Sequence, residues 1–381
     1  MEINTNDIIV IGIMTGTSLD GIDTAVCRFG FDGRRFRYEE LFFKTYKYPD
    51  KVRQKISEIL SDIVHLFDIS QLNFALSKVY ADAVNNALIE SGMERNEVAA
   101  IGLHGQTIYH QPQVMNFCGT PVASTLQAGN ISALNQLTGI PVIGDFRSAD
   151  IALGGQGAPL VPVFDYEFLR SDSENIIALN IGGMANITLL PQNCKREQVI
   201  AFDTGPGNIL IDIAARRYFN VEYDSGGGFA RAGNPDYNLL DKMMEHPYIH
   251  KTFPKSTGRE LFNIQFFKNY FEDYSNGGDA VSTLTHFTAK SIAVNIQNSG
   301  FDADRLVVSG GGGRNIFLME LISHYLPGIK VQTSESQGIG IDSKEAVCFA
   351  FLAYLNILRL PGNIPSATGA KSQTILGVRA G

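Results

Sequence analysis

The sequence predicts an α/β fold with two domains, and three observations carry that prediction. Short apolar runs of strand length alternate with segments whose apolar residues recur at helical spacing. The length of 381 residues favours two domains over one. The second half begins, like the first, with an apolar strand, a glycine turn and a return strand. No identity at a fixed period accompanies this, so we expect a shared architecture and not a sequence repeat.

The first half is predicted to form one sheet that is antiparallel at its start and parallel further on. Strands are predicted at 8–14, 22–29, 36–46, 99–103 and 140–143, and helical segments at 50–92 and 132–137. Short turns join the first three strands, which makes them antiparallel neighbours. The later strands alternate with helices, which indicates a parallel extension of the same sheet.

The second half repeats this plan with its own strands and helices. Strands are predicted at 175–180, 187–190, 199–202 and 306–309, and helices from 209 and over 280–298. Residues 226–228, three glycines, are predicted to lie in a loop, and Glu345 is predicted to open the final helix.

Composition excludes several classes of protein. The net charge of −8 gives no basic excess, which argues against nucleic-acid binding. The four cysteines are far apart with no C-x-x-C pair, so neither a zinc site nor a disulfide framework is predicted. No basic residue precedes the first apolar run, and no apolar run spans a membrane. We therefore expect a reduced cytoplasmic protein with no membrane partner.

Glycine-rich turns are the strongest functional signal. They are Gly16-Thr17-Ser18, Gly105, Gly182-Gly183, Gly205-Pro206-Gly207 and Gly310–Gly313. Each follows a predicted strand, and backbone amides in such turns bind phosphate oxygens at the carboxyl edge of a sheet. Neither a P-loop nor a G-x-G-x-x-G motif is present. If ATP is the ligand, paired glycine hairpins from two domains are expected to hold it.

Seven segments resemble one family in order and over nearly the whole chain, the anhydro-N-acetylmuramic acid kinases. They are GIMTGTSLDGID at 12–23, HGQT at 104–107, GDFR at 144–147, GGQGAPL at 154–160, NIGG at 180–183, FDTGPGN at 202–208 and PKSTGRE at 254–260. The resemblance implies a two-domain actin-like ATPase (ribonuclease H-like) fold with ATP and sugar in an interdomain cleft. Residues 1–145 with 363–381 would form domain I, and 146–362 domain II.

The family resemblance also implies an activity. The enzyme would use ATP and Mg²⁺ to open 1,6-anhydro-N-acetylmuramic acid with water and phosphorylate O6, giving N-acetylmuramate 6-phosphate and ADP in peptidoglycan recycling. It suggests a homodimer. An ordinary sugar or acetate kinase, and a nucleotide-driven binding protein like the Hsp70 ATPase domain, are the alternatives. Dependence of turnover on water and on sugar distinguishes the three.

The residues expected to bind ATP lie in the glycine turns and beside them. They are Thr15, Gly16, Thr17, Ser18, Asp20, Gly21, Asp23, Gly182, Gly183, Gly310, Gly311 and Gly312. Asp20 and Asp23 supply carboxylate oxygens suited to Mg²⁺ or its waters, although aspartates also form plain turns. The glycines at 310–312 are expected to face the adenosine.

Asp203 is the expected catalytic base, by its match to the family position. Asp145 is the other candidate, and it either pairs with Arg147 or orients the sugar or metal waters. The expected sugar contacts are His104, Gln106, Asp145, Gly155, Gln156, Pro159 and Glu345. The loop from Lys255 to Arg259 either recognises the lactyl carboxylate or is a solvated loop.

Overall fold

The computed structural model describes residues 7–16, 19–61 and 64–381. Thirteen strands lie within these residues. They are β1 (Ile8–Met14), β2 (Ile22–Phe31), β3 (Phe36–Tyr46), β4 (Val98–Leu103), β5 (Gln106–Phe117), β6 (Thr120–Ala128), β7 (Val142–Gly144), β8 (Ile176–Ile181), β9 (Met184–Leu190), β10 (Ile200–Pro206), β11 (Arg305–Ser309), β12 (Lys330–Thr333) and β13 (Val378–Ala380).

Fourteen α-helices lie in the same described part of the chain. They are α1 (Asp50–Ser61), α2 (Leu66–Ser91), α3 (Ile131–Thr138), α4 (Ser148–Ala152), α5 (Pro162–Leu169), α6 (Ile209–Phe219), α7 (Gly228–Ala232), α8 (Tyr237–Met244), α9 (Pro247–His250), α10 (Ile264–Phe271), α11 (Gly277–Asn298), α12 (Ile316–Tyr325), α13 (Lys344–Ile357) and α14 (Pro365–Thr368). Within the described residues, no helix combines the length and the apolar character that crossing a bilayer requires.

The chain divides into two compact units. The first comprises Met1–Phe168 with Ser343–Gly381, and the second Leu169–Asp342. The boundaries expected from the sequence, after 145 and before 363, differ from these. Helix α13 packs on β1, β2 and β4 of the first sheet, and β13 pairs with β7, so the whole segment from 343 onward belongs with the first unit.

The first unit contains a six-stranded sheet in the order β13-β7-β4-β1-β2-β3. The neighbours β1–β2 and β2–β3 are antiparallel, whereas β1–β4 and β4–β7 are parallel. The predicted antiparallel start and parallel extension are therefore confirmed. The carboxyl ends of β1, β4 and β7 consequently meet at one edge of the sheet.

The second unit repeats this topology in the order β10-β9-β8-β11-β12. Here β8–β9 and β9–β10 are antiparallel, and β8–β11 and β11–β12 are parallel. Each unit thus carries a ribonuclease H-like sheet, and the shared architecture predicted for the two halves is confirmed. Because β9 is antiparallel to both β8 and β10, the carboxyl ends of β8, β10 and β11 lie at one edge.

Several elements differ from the expectation. The hairpin of β5 and β6 was not predicted, because its exposed residues show no continuous apolar face. Strand β10 continues to Pro206, so Asp203 lies inside a strand and not after it. Gly226 and Gly227 lie in a 3-10 helix and Gly228 begins α7, where a loop was expected. The short helix α14 follows α13, which is therefore not the last helix.

The first sheet is covered on both faces. Ile9, Ile11 and Ile13 of β1 join the apolar core that includes residues of α1 and α2. Alternation along the strand turns Val10 and Gly12 to the opposite face, where α13 lies. A Cβ on Gly12 would overlap the carbonyl oxygen of Ala346, and one on Gly102 of β4 that of Phe349. Glycines at these two positions therefore let α13 approach the sheet closely.

Candidate functional site

Three predicted site segments of the first unit lie at the carboxyl edge of its sheet. Thr15 and Gly16 follow β1, His104 precedes β5 directly after β4, and Asp145 follows β7. These strands are parallel neighbours. The Gln106 side chain ties two of the segments together, because its Nε2 donates to the Gly16 carbonyl at 3.3 Å.

Thr15 and Gln106 are both buried, which limits what their side chains can contact. The Thr15 hydroxyl lies 3.5 Å from the Tyr80 hydroxyl, and the Gln106 Oε1 accepts from the Tyr48 hydroxyl at 3.0 Å. Both side chains therefore hold the loop from the protein interior. The direct contacts of the Thr15 hydroxyl with phosphate and of the Gln106 amide with sugar stay predictions. Thr17 and Ser18 lie outside the described residues.

The two aspartates expected near a metal lie at the start of β2. Asp20 is exposed in the turn before the strand, and the Asp23 Oδ1 accepts from the Thr45 hydroxyl at 2.6 Å. Between them, Gly21 packs so closely on Thr45 that a Cβ would overlap the threonine side chain. Among the described residues no cluster of three or more His, Cys, Asp or Glu side chains could hold a metal. A donor set of one or two carboxylates fits Mg²⁺ that is bound mainly by phosphate oxygens and water.

His104 is paired with Arg147, which changes the role expected for Asp145. The Arg147 Nη2 and Nε lie 2.7 and 3.2 Å from the His104 Nε2, and Nη1 donates to the Gly157 carbonyl at 2.6 Å. Burial, with the arginine charge, holds the pKa of His104 well below its usual range. His104 is therefore a neutral acceptor at Nε2.

Asp145 does not pair with Arg147, contrary to one of the two roles expected for it. It is exposed with a left-handed φ of 55°, and its Oδ1 accepts the backbone amide of Ser148 at 3.2 Å. Its carboxylate therefore caps the start of α4 and stays accessible. An aspartate tolerates this conformation better than most residues with a Cβ.

His104 and Asp145 line a pocket of about 260 Å³ in the first unit. Its polar lining also includes Asn73, Asn130 and Ser148, which are uncharged. A small concave site with several uncharged hydrogen-bonding groups and one carboxylate suits the hydroxyl and amide groups of a sugar.

The glycine loop after α4 is built around the buried carboxylate of Asp150, which has no local sequence signal. Asp150 accepts the Gly157 amide at 2.8 Å, the Asn363 amide at 2.8 Å and the Thr368 hydroxyl at 2.7 Å. Gly155 is buried, and a Cβ on it would overlap this carboxylate. Gly155 is thus required by packing, whereas Gln156 beside it is exposed.

Two predicted sugar contacts of the first unit remain, Pro159 and Glu345. Pro159 is partly exposed and follows a cis peptide bond. Glu345 lies in the first turn of α13 and is partly buried. Burial lowers the pKa of Arg147 to about 10, and the negative charge of Glu345 acts in the opposite direction. Glu345 is therefore near the arginine that holds His104.

In the second unit, three glycine segments come together at the edge of the sheet. The amides of Gly207 and Asn208 donate to the carbonyls of Gly183 and Gly182 at 2.9 and 2.8 Å. A Cβ on Gly310 would crowd the carbonyl oxygen of Ile181, the residue before Gly182. The turns after β8, β10 and β11 therefore form one contiguous glycine-lined surface.

Two of these glycines are open to solvent. Gly183 and Gly311 are exposed, and a Cβ on Gly183 would meet no atom within 4 Å. Gly182 is partly exposed, whereas Gly312 is buried against Ile181. Backbone with nothing packed over it leaves room for a ligand to lie directly against the chain.

Asp203 is held by neighbours on both its backbone and its carboxylate. Its Oδ2 accepts the Thr257 amide at 2.9 Å, and its own amide donates to the Lys255 carbonyl at 3.2 Å. The Tyr248 hydroxyl donates to its carbonyl at 2.9 Å. An irregularity in the pairing of β10 with β9 follows Asp203, where Thr204 has no partner residue on β9.

The electrostatic environment of Asp203 favours a carboxylate that titrates near neutrality. Burial raises its pKa to about 6, and the negative charge of Glu260 adds to this. The hydrogen bond from Thr257 and the positive charge of Lys255 act in the opposite direction. The Thr257 hydroxyl oxygen is buried and, within the described residues, has no hydrogen-bond partner.

Within the loop from Lys255 to Arg259, Lys255 has a different role from either that was expected, whereas Ser256 and Arg259 are exposed. Lys255 is buried, and its ammonium donates to the carbonyls of Tyr248 and Ile249 at 3.0 and 3.3 Å. It is therefore neither solvated nor available to a ligand carboxylate. Neither Tyr248 nor the buried state of Lys255 has a local sequence signal, because both depend on how α9 packs beside β10.

Solved structures with loosely similar folds align over most of the chain. Component A of (R)-2-hydroxyglutaryl-CoA dehydratase from Acidaminococcus fermentans aligns at 12% identity and a TM-score of 0.44, covering 91% of this chain and 98% of that one. A ROK hexokinase from Thermus thermophilus aligns at 13% and 0.37, covering 91% and 99%. A ROK family glucokinase from Streptomyces griseus, in complex with glucose and AMPPNP, aligns at 12% and 0.33, covering 90% and 97%.

The sequence itself matches a family model over almost its full length. The model is described as anhydro-N-acetylmuramic acid kinase, and it covers residues 8–380. That range includes both sheets, every glycine turn described above and Asp203 with the segment that holds it. The chain belongs to the anhydro-N-acetylmuramic acid kinase family, and it is accordingly a phosphotransferase.

Proposed function

We propose that the protein opens 1,6-anhydro-N-acetylmuramic acid with water and transfers the γ-phosphoryl group of ATP to O6. The products are N-acetylmuramate 6-phosphate and ADP. The observation that carries this proposal is Asp203, a largely buried carboxylate with a raised pKa beside the glycine surface of the second unit. Family membership supplies the class of substrate.

The bond changes balance around one water molecule and one base. The water oxygen forms a bond to C1 while the C1–O6 bond breaks. O6 bonds to the γ-phosphorus as the bond between that phosphorus and the β,γ-bridging oxygen breaks, which releases ADP. Asp203 accepts the proton that the attacking water loses. No separate acid is needed for O6, because phosphorus captures it, in contrast to an ordinary inverting glycosidase.

The geometry around Asp203 suits this role. Its Oδ2 is fixed by the Thr257 amide, and the unpartnered Thr257 hydroxyl belongs to the same residue. A base with a pKa of about 6 is mostly ionised at neutral pH and still basic enough to accept a proton.

The glycine segments are proposed to bind the nucleotide. The open backbone at Gly183, with the partly exposed Gly182 beside it, is proposed to contact phosphate in the second unit, and Gly310, Gly311 and Gly312 are proposed to lie against the adenosine. In the first unit, the backbone of Thr15 and Gly16, with Thr17, Ser18 and Gly21, is proposed to bind the phosphates. Asp20 and Asp23 would hold Mg²⁺, which neutralises phosphate charge when bound.

The pocket lined by His104 and Asp145 is proposed to bind the sugar. His104 is held neutral by burial and by the Arg147 charge, and its Nε2 accepts from Arg147, so it places no charge in the pocket. Gln156 and Glu345 are the other side chains proposed to contact it, with Pro159 beside them, whereas Gln106 and Gly155 shape the site from within. We further propose that the reaction serves cell-wall recycling in the cytoplasm and that the protein is a homodimer.

Isotope labelling tests the reaction directly. The purified protein is incubated with ATP, Mg²⁺ and the anhydro sugar in ¹⁸O-water, and the products are analysed by mass. We expect one ¹⁸O atom at C1 and none on the phosphate, because O6 comes from the bridge. Label in the transferred phosphate would reject the reaction as written. Phosphorylation of a free hydroxyl with the anhydro bridge intact would indicate an ordinary sugar kinase instead.

A further inference from the structure

The segment 254–257 holds Asp203 through backbone groups. The Lys255 carbonyl accepts the Asp203 amide, and two residues later the Thr257 amide donates to the Asp203 carboxylate. One bond holds the backbone of Asp203 and the other holds its carboxylate, so together they fix the direction of its side chain. The position of the segment therefore decides where the carboxylate points.

The Lys255 side chain anchors that segment to the protein. Its ammonium donates to the carbonyls of Tyr248 and Ile249 and lies 4.7 Å from the centroid of the Tyr248 ring. The Tyr248 hydroxyl in turn donates to the Asp203 carbonyl at 2.9 Å. One buried ammonium thus joins α9, the segment and the catalytic strand β10 into a closed set of hydrogen bonds.

We infer that Lys255 is a positioning residue, which holds the 254–257 segment so that Thr257 and Tyr248 orient Asp203 toward the attacking water. The inference rests on the proposed role of Asp203 as the base. Lys255 acts in two ways, through its hydrogen bonds to the end of α9 and through its positive charge near the carboxylate.

The charged groups near Asp203 come from a small number of elements. Lys255 and Glu260 lie in the same stretch of chain and act with opposite sign, and Tyr248 of α9 is neutral. Lys251 lies next to α9 and lowers the pKa of Lys255. On the other side, β9 places the uncharged Asn186 opposite Asp203.

The charge of Lys255 is present where Asp203 titrates. Burial lowers the lysine pKa to about 8, which is still above the pKa of about 6 for Asp203. Through the acid range the lysine is therefore protonated and favours the ionised aspartate. Removing that charge should raise the pKa of Asp203, and activity should then fall at a higher pH than in the unaltered protein.

The experiment compares Lys255→Met, Lys255→Arg and Lys255→Gln with the exposed control Lys251→Met, which makes the same change of charge nearby. For Lys255→Met we expect kcat to fall about 10- to 100-fold. The KM for ATP should be unchanged, and the acid limb of the kcat profile should move up by about half a pH unit to one unit. Lys255→Arg keeps the charge and the donors, so its limb should stay in place. Lys251→Met should retain kcat and its profile.

Lys255→Gln keeps a donor and removes the charge, so it tests the limb separately if Lys255→Met is not folded. We expect the same upward shift with a smaller loss of kcat. If Lys255→Met and Lys255→Gln both lower the melting temperature but leave the acid limb of the kcat profile in place, the role of Lys255 is merely structural. That result would overturn the inference. An equal shift in Lys251→Met would also overturn it. Near-normal turnover of Asp203→Asn would instead reject the base assignment, and that result is independent of any Lys255 variant.

Discussion

Asp203 is held in a way that costs stability and suits a base. Burial raises the pKa of its carboxylate to about 6 from the ordinary 3.8. The folded state therefore favours the protonated form, and the ionised form destabilises the fold at neutral pH. The same burial that makes ionisation costly makes the carboxylate a stronger proton acceptor.

Asp203→Asn should separate these two effects. The amide keeps an oxygen that can accept the Thr257 amide, but it cannot take a proton from water. We expect turnover to fall by about 10²–10⁴-fold, the usual contribution of a positioned general base. ATP affinity, measured by calorimetry, should be retained, because the nucleotide is proposed to bind the glycine segments.

Stability gives a control for the same variant. Because the buried charge is removed, the free energy of unfolding at pH 8 should be equal to or higher than that of the unaltered protein, by up to about 2 kcal/mol. A loss of activity accompanied by a large loss of stability would contradict the proposed role.

Asp145→Asn should instead raise the KM for the sugar at least as much as it lowers kcat.

The pH dependence of the unaltered protein follows from the raised pKa. Because the base must be ionised, kcat should be constant above pH 7 and should fall tenfold per pH unit well below pH 6. The position of this limb is read from kcat at saturating ATP and sugar. A limb near pH 4 would mean that the carboxylate titrates as it does in solution, in conflict with its burial.

Among the elements, α13 depends on two glycines in the strands beneath it. A Cβ on Gly12 would overlap the carbonyl oxygen of Ala346 and crowd the amide of Ala350. Both clashes are with helix backbone, which cannot rotate away as a side chain can. The helix would have to move off the sheet, and the packing of its buried residues would be lost along with it.

Gly12→Ala should therefore destabilise the first unit by about 3 kcal/mol, measured by urea unfolding. Gly30→Ala is the matched control, because Gly30 lies on β2 of the same sheet and the three atoms nearest to its Cβ would all belong to the exposed, flexible Arg37 side chain. That variant should lose less than about 1 kcal/mol. Equal losses for the two glycines would show that backbone entropy, and not contact with α13, decides the effect.

The success of the sequence-based prediction varied from element to element for physical reasons. Strands β1 and β3 and the start of α6 were predicted at their observed bounds, because apolar runs and glycine breaks are local signals. The hairpin of β5 and β6 has no such signal. Asp150 holds the 154–157 loop through Asn363 and Thr368, which lie 213 and 218 residues later in the chain. No local pattern predicts such partners.

At the scale of the whole molecule, a buried ion pair lies where the chain leaves and re-enters the first unit. Asp165 of α5 precedes the second unit by a few residues, and Lys344 of α13 follows it. Their charged atoms are 2.6 Å apart, and both side chains are almost fully buried. The buried ion pair thereby joins α5 and α13, which are distant in sequence.

Lys344→Met should destabilise the protein by about 3–5 kcal/mol, because it removes the ammonium that lies 2.6 Å from the buried Asp165 carboxylate. The double variant Asp165→Leu with Lys344→Met should recover most of that loss, since neither charge then remains. Lys55→Met is the control at an exposed pair with Glu58, and it should leave the unfolding free energy nearly unchanged. Additive losses in the double variant would argue against direct coupling.

The split of the first unit in sequence also has a consequence for biosynthesis. A ribosome makes the strands that carry Gly12 and Gly102 early, yet the helix that covers them, α13, is made only after the whole of Leu169–Asp342. The apolar face of β1 around Val10 is consequently not yet packed against α13 while the contiguous second unit is synthesised and can fold. The nascent chain is therefore expected to expose this apolar face of the sheet until the residues of α13, 344–357, have been made.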